Sequence, residues 1–165
     1  PLAFATEPTR SRTNPKGWEA PELGGKIAFT TLALKDNDPK DWELHVYRQT
    51  SGLDFELWNV IEPICPNAFP LAANPTPFVF GGRSYLAGLS VPATADLNQD
   101  VGIVWVESVD PSLPEAEQVS RLVSNDTCLD DNGVVRKDPE ALVLEDSETG
   151  EEIGARIYYT VRVFD

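Results

Sequence analysis

Three stretches of this chain share one layout, and the third breaks off after two candidate strands. Each starts from a proline, runs through a short apolar stretch and passes glycines into a strand. The first is Pro21-Glu22-Leu23-Gly24-Gly25 leading into Lys26–Leu34. The second is Pro77-Phe78-Val79-Phe80-Gly81-Gly82 leading into Arg83–Ser90. The third opens at Pro139 and continues past Gly154 into Ala155–Val163. The anchoring prolines stand 56 and 62 positions apart, a period that points to propellers or arrays. A repeat unit that cannot finish itself needs strands from elsewhere.

Downstream of the glycines the pattern continues. Lys26–Leu34 leads through an acidic loop to an aromatic strand over Trp42–Gln49. Arg83–Ser90 leads through Thr94–Asp100 to Val101–Ser108. Fourth strands are predicted at Phe55–Ile61 and Gln118–Val123. Alternating apolar and polar side chains, rich in β-branched and aromatic residues, mark half-buried antiparallel strands. Fourteen prolines and eleven glycines interrupt the chain too often for a helical protein. The one helical candidate lies around Pro114–Val119. The fold class expected is therefore all-β, built of antiparallel four-stranded units.

Four-stranded units at this spacing resemble β-propeller blades, those of five-bladed sugar-processing propellers and TolB-like propellers above all. The stretches that carry the resemblance are Arg136-Lys137-Asp138-Pro139-Glu140 with Ile157-Tyr158-Tyr159-Thr160, and Gly25-Lys26-Ile27-Ala28-Phe29-Thr30. It covers about residues 18–165 as two and a half blades (18–74, 75–136 and 137–165), preceded by an extended arm over residues 1–17. The expectation is a partial propeller completed by a partner strand or subunit. The resemblance also implies that acidic residues beside the blade-opening prolines line a central cavity. Glu19 and Asp138 match that placement; the middle unit, with Asn74-Pro75-Thr76-Pro77, has no carboxylate there.

Net charge is −14, from 27 acidic and 13 basic residues. That disfavours nucleic acid and anionic membranes, which are bound through basic side chains. Most of the acid reads as a solvated surface. Six oxygen-bearing residues suggest a more specific use: Asp36, Asp38 and Asp41 crowd one loop, and Asp96, Asn98 and Asp100 occupy the matching loop of the next unit. Ca²⁺ takes six to eight oxygen ligands in flexible geometry, so calcium is the candidate cofactor, although neither loop has the full EF-hand pattern.

No apolar run approaches the length of a membrane span. The chain contains no methionine, so translation is expected to have begun upstream of Pro1. Removal of a signal peptide is the expectation, with an excised fragment as the alternative, and the expected location is extracellular. Cys65 and Cys128 occupy corresponding places, 12 and 11 residues before Pro77 and Pro139. In an oxidising compartment they are expected to pair; two reduced thiols in loops are the other reading. Asn125-Asp126-Thr127 is a glycosylation sequon of low specificity.

Catalysis finds less support. The single histidine, His45, sits between Leu44 and Val46 on an alternating strand and reads as structural. No nucleophile elbow, CxxC, phosphate loop or dinucleotide fingerprint is present. The enzyme alternative is glycoside hydrolysis, which needs two carboxylates about one sugar bond, here Glu19 and Asp138. Carbohydrate binding is the other alternative, with Trp18, Trp42, Trp58 and Trp105 offering aromatic faces, although three of them lie in strand patterns where packing is the commoner use.

An unfinished unit exposes unpaired N–H and C=O groups along Ala155–Val163, and an open apolar edge is a template for another chain. The arm offers the complement in Leu2 and Phe4, docking beside Ile157, Tyr159 and Val161. The function expected from sequence is a secreted, non-catalytic structural protein. Its partner is a second copy of itself, joined by strand complementation into an oligomer or filament.

Overall fold

In a computed structural model the chain is described over residues 3–4, 12–34, 42–62, 64–65, 71–91, 102–124, 128 and 134–163. It is all-β. The strands are β1 (Ala3–Phe4), β2 (Arg12–Ala20), β3 (Lys26–Leu34), β4 (Trp42–Ser51), β5 (Asp54–Ile61), β6 (Leu71–Phe80), β7 (Arg83–Val91), β8 (Ile103–Ser108), β9 (Ser120–Leu122), β10 (Val134–Glu145) and β11 (Glu152–Val163). Two 3-10 turns, Pro21–Leu23 and Glu115–Glu117, complete the regular structure. The second falls on the segment expected to be the one helical candidate. A run of three residues between Pro114 and Gln118 is too short to bury an apolar face.

Strands β2 to β5 form one antiparallel meander and β6 to β9 a second, while β10 and β11 form a two-stranded hairpin. β1 adds to the first sheet in parallel to β5 through two register pairs, Ala3 with Asp54 and Phe4 with Phe55. The residues expected to form only an extended arm thus include, from Arg12 onward, the opening strand of the first unit.

Register shows which positions of the three units correspond, and it moves the anchors. Each opening hairpin carries a bulge at the same place, in which two residues face one, and the third has a further irregularity between Leu144 and Glu145. Asn14-Pro15 lies opposite Thr31, Asn74-Pro75 opposite Gly88, and Asp138-Pro139 opposite Tyr159. Proline has no N–H for the ladder and collects at such bulges. The true repeat anchors are therefore Pro15, Pro75 and Pro139, with spacings 75 − 15 = 60 and 139 − 75 = 64. Pro21 and Pro77 are not equivalent to Pro139: Pro21 lies in the turn after β2, whereas Pro77 lies inside β6.

The glycines differ in use as well. Gly81 and Gly82 alone connect β6 to β7, both at positive φ (59° and 71°), the two-residue hairpin geometry that matches strand twist. In the first unit the corresponding turn is longer, because Pro21–Leu23 is inserted ahead of Gly24 and Gly25.

The core lies between units. Leu32, Leu44, Val46 and Ile61 of the first sheet pack against Leu86, Trp105 and Val109 of the second. On the other side of the second sheet, Leu89, Val91 and Val104 meet Ile157 and Tyr159 of β11. The opening strand β6 touches both β2 and β10, so the three opening strands lie side by side. Cys65, just before β6, is disulfide-bonded to Cys128, just after β9.

Candidate functional site

The junction between the first two units is closed by polar contacts. Trp18 Nε1 donates to Ser84 Oγ at 2.9 Å. The Glu22 carboxylate accepts from Ser84 N and Ser84 Oγ, each at 2.9 Å. Glu22 is delivered by the inserted 3-10 turn, and Ser84 is buried. Farther out, Asn59 Nδ2 donates to the Val109 carbonyl at 2.8 Å. Ring, carboxylate and amide thus satisfy the polar groups of the neighbouring sheet, as burial requires.

The next junction is crossed elsewhere, by Gly81 N donating to the Glu152 carboxylate and Arg136 Nη1 to the Gly102 carbonyl, and the positions equivalent to those of the first junction carry different side chains. Phe78 corresponds to Trp18, Ala155 to Ser84 and Arg121 to Asn59. Phe78, Phe80, Tyr85, Val106, Val119, Arg121 and Ala155 line a groove of about 200 Å³. The rings of Phe78 and Tyr85 stack within it, centroids 5.4 Å apart. No strand among the described residues pairs with the outer edge of β11. Thr30 and Ala87, equivalent to Tyr158, are fully buried, whereas Tyr158 is 51% exposed; Val161, equivalent to buried Ser90, is also 51% exposed. Ile153 and Val163 extend this apolar edge.

A second, polar cleft of about 120 Å³ forms where the bulges of the opening strands meet. Lys16, Asn74, Pro75, Thr76, Asp138, Pro139 and Glu140 line it. Lys16, Thr76 and Glu140 are the same position in the three units. Asn74 and Asp138 both sit at positive φ (46° and 52°), a conformation that only short polar side chains reach with ease. Of the carboxylates singled out in the sequence, Asp138 lies in this cleft and Glu19 is not among its lining residues. Glu19 instead stands on β2 beside Gly25, where an added Cβ would fall 2.8 Å from its Oε1. Glu140, Lys16 and Thr76 escaped sequence reasoning. The signal that could have found them is the Asn/Asp-Pro dipeptide, which occurs five times and marks the opening strands at Asn14-Pro15, Asn74-Pro75 and Asp138-Pro139.

Ile157 and Tyr159 pack on Leu89, Val91 and Val104, while Tyr158 on the opposite face and Val161 farther along the strand are both exposed. Phe4 lies in β1, and Leu2 lies outside the described residues. Asp36, Asp38, Asp41, Asp96, Asn98 and Asp100 also lie outside them. Among the described residues no group of three or more His, Cys, Asp or Glu side chains is placed to hold a metal. Among them, too, no helix is long and apolar enough to cross a membrane.

His45 is buried, with Nε2 3.0 Å from Glu43 Oε2 and Nδ1 3.4 Å from Tyr47 Oη. Those partners fix the ring inside the first sheet. Glu107 on β8 is the one carboxyl among the described residues with a large displacement: burial, reinforced by the Glu62 charge and opposed by a hydrogen bond from Ser120, pushes it up to about 7. No protein-family model, no curated protein and no solved structure matches this chain.

Proposed function

We propose that this protein is a non-catalytic assembly module whose third unit is completed by a strand from a second copy. The observation that carries the reading is the contrast along one position: Thr30 and Ala87 are fully buried and their equivalent Tyr158 is half exposed. In the first two units a third strand covers that position. On β11 the same surface is apolar and uncovered, which makes it a template for edge pairing. The N-terminal segment with Leu2 and Phe4 is the donor, and it is held in its own chain by two register pairs. A partial propeller is the architecture that this reading favours, since the opening strands gather side by side and the repeat continues outward from them. The Cys65–Cys128 disulfide supports a secreted, extracellular setting.

Size-exclusion chromatography with light scattering tests the reading. The purified protein is expected to be an oligomer, and Tyr158→Lys with Val161→Lys is expected to yield a folded monomer. A wild-type protein that stays monomeric at high micromolar concentration defeats it.

The cleft at the bulges favours a second reading, carbohydrate binding, because it gathers an ammonium, two carboxylates, an amide and a hydroxyl in one small space. Glycan-array binding that disappears in Asp138→Ala is its test. Glycoside hydrolysis through Glu19 and Asp138 draws no support from this cleft, since Glu19 does not line it.

A further inference from the structure

We infer that the groove between the second and third units is a binding site for a small aromatic carboxylate, one ring carrying a short acid arm, with Arg121 taking the carboxylate. The inference goes beyond the assembly reading above and does not depend on it, since oligomeric state is not among its readouts.

The groove lies in a junction that is already tied. Gly81 N donates to the Glu152 carboxylate, Arg136 Nη1 donates to the Gly102 carbonyl, and Ile157 and Tyr159 pack on Leu89, Val91 and Val104. The walls are therefore formed before any ligand arrives, as small-molecule sites usually are. They are apolar: the stacked rings of Phe78 and Tyr85 stand with Val106, Val119 and Ala155. Arg121 is the one charged residue among those lining the groove. It is exposed, whereas its register partner Val106 is only 4% exposed, so the charge stands at the rim with apolar surface beneath it. One charge over an apolar body is the chemistry asked of the ligand.

The sign of that charge follows from the groups already engaged. Arg83, two residues before Tyr85, is held by Glu117, and Glu152, three residues before Ala155, accepts from Gly81 N. Among the described residues neither the Arg121 guanidinium nor the Tyr85 hydroxyl has a hydrogen-bond or ion-pair partner. A planar guanidinium takes a carboxylate through two parallel N–H···O bonds, and the phenol is a further donor. The net charge of −14 opposes an anion at long range, but screening at physiological ionic strength acts within ~8 Å, so the local guanidinium decides. Size sets the body. An enclosed apolar cavity of about 150 Å³ holds benzene, so a groove of about 200 Å³ takes one ring and a short arm. The Phe78–Tyr85 pair favours a ring over an aliphatic chain of similar area, because aromatic contacts add to the burial.

Titration of isotope-labelled protein with phenylpropionate, followed through its backbone amide shifts, tests this. Phenylpropanol, the same body without the charge, is the control. The acid is expected to bind at least tenfold more tightly than the alcohol, with the largest shifts at Val106, Val119, Arg121 and Ala155. Arg121→Gln is expected to weaken the acid at least tenfold and to abolish its advantage over the alcohol, with circular dichroism unchanged. Ala155→Phe fills the groove and is expected to remove binding of both. Absence of shifts at millimolar acid overturns the inference. Equal binding of acid and alcohol by the wild type refutes a ligand chosen by charge, and largest shifts elsewhere on the molecule refute the groove. Acid binding that survives Arg121→Gln undiminished refutes the part given to Arg121.

Discussion

Gly88 faces Trp105 across β7 and β8. A Cβ at Gly88 would lie 2.7 Å from Cη2 and 2.9 Å from Cε2 of that fully buried indole. The glycine is needed for room, because the indole ring already occupies the space a Cβ would take, so Gly88→Ala is expected to lower stability by about 1–3 kcal/mol, read as a shift in urea midpoint. Glu107 supplies a residue-scale prediction about pH. Its carboxyl is raised from 4.5 to about 7, chiefly by burial. The folded state therefore keeps this proton to higher pH than the unfolded state, and folding loses stability as pH rises from about 4.5 through 7. A difference of this size amounts to about 1–3 kcal/mol after allowance for partial exposure. Glu107→Gln is expected to raise the melting temperature at about pH 8 relative to wild type and to leave it nearly unchanged at about pH 4.5. Thermal melts at the two pH values check it.

At the scale of the element, the bulge recurs at the same place in all three opening hairpins, and its leading residue adopts a left-handed conformation in Asn74 and Asp138. Asn74→Gly is expected to be neutral within about 0.5 kcal/mol, and Asn74→Val to cost about 1–2 kcal/mol through the strain of a β-branched residue at positive φ. Chemical denaturation of the two variants separates them. The strands themselves were legible in the sequence because alternation over Lys26–Leu34, Trp42–Gln49 and Arg83–Ser90 reports a surface buried on one side or between two sheets. The bulges were not, since a proline within a strand reads as an interruption, and its role emerges only from the register of the partner strand. That shifted the apparent anchors to Pro21 and Pro77. It also directed attention to Glu19, leaving Glu140 unnoticed in the cleft. The inward direction of Ile157 and Tyr159 was hidden for another reason: alternation along β11 separates its two faces without saying which one the neighbouring sheet covers.

At the scale of the whole molecule, neighbouring units hold one another through their faces, and the first junction is the tighter of the two in polar terms. Glu22→Ala strips the acceptor from the buried Ser84 N–H and is expected to cost about 1–3 kcal/mol, whereas Arg121→Ala at the open junction is expected to cost less than about 0.5 kcal/mol in the isolated protein. Differential scanning calorimetry of both variants tests this asymmetry. The disulfide adds its own contribution: with 63 positions between the cysteines, the chain-entropy relation gives about 4 kcal/mol lost on reduction. Its placement has a topological consequence. The bond joins the segment entering the second sheet to the segment leaving it, so β6 to β9 lie on a covalent ring and the other units hang from it as two tails. A protease cutting once inside that ring opens it without dividing the molecule: one new amino terminus appears, the mass rises by a single water, and both tails stay attached until a reductant is added.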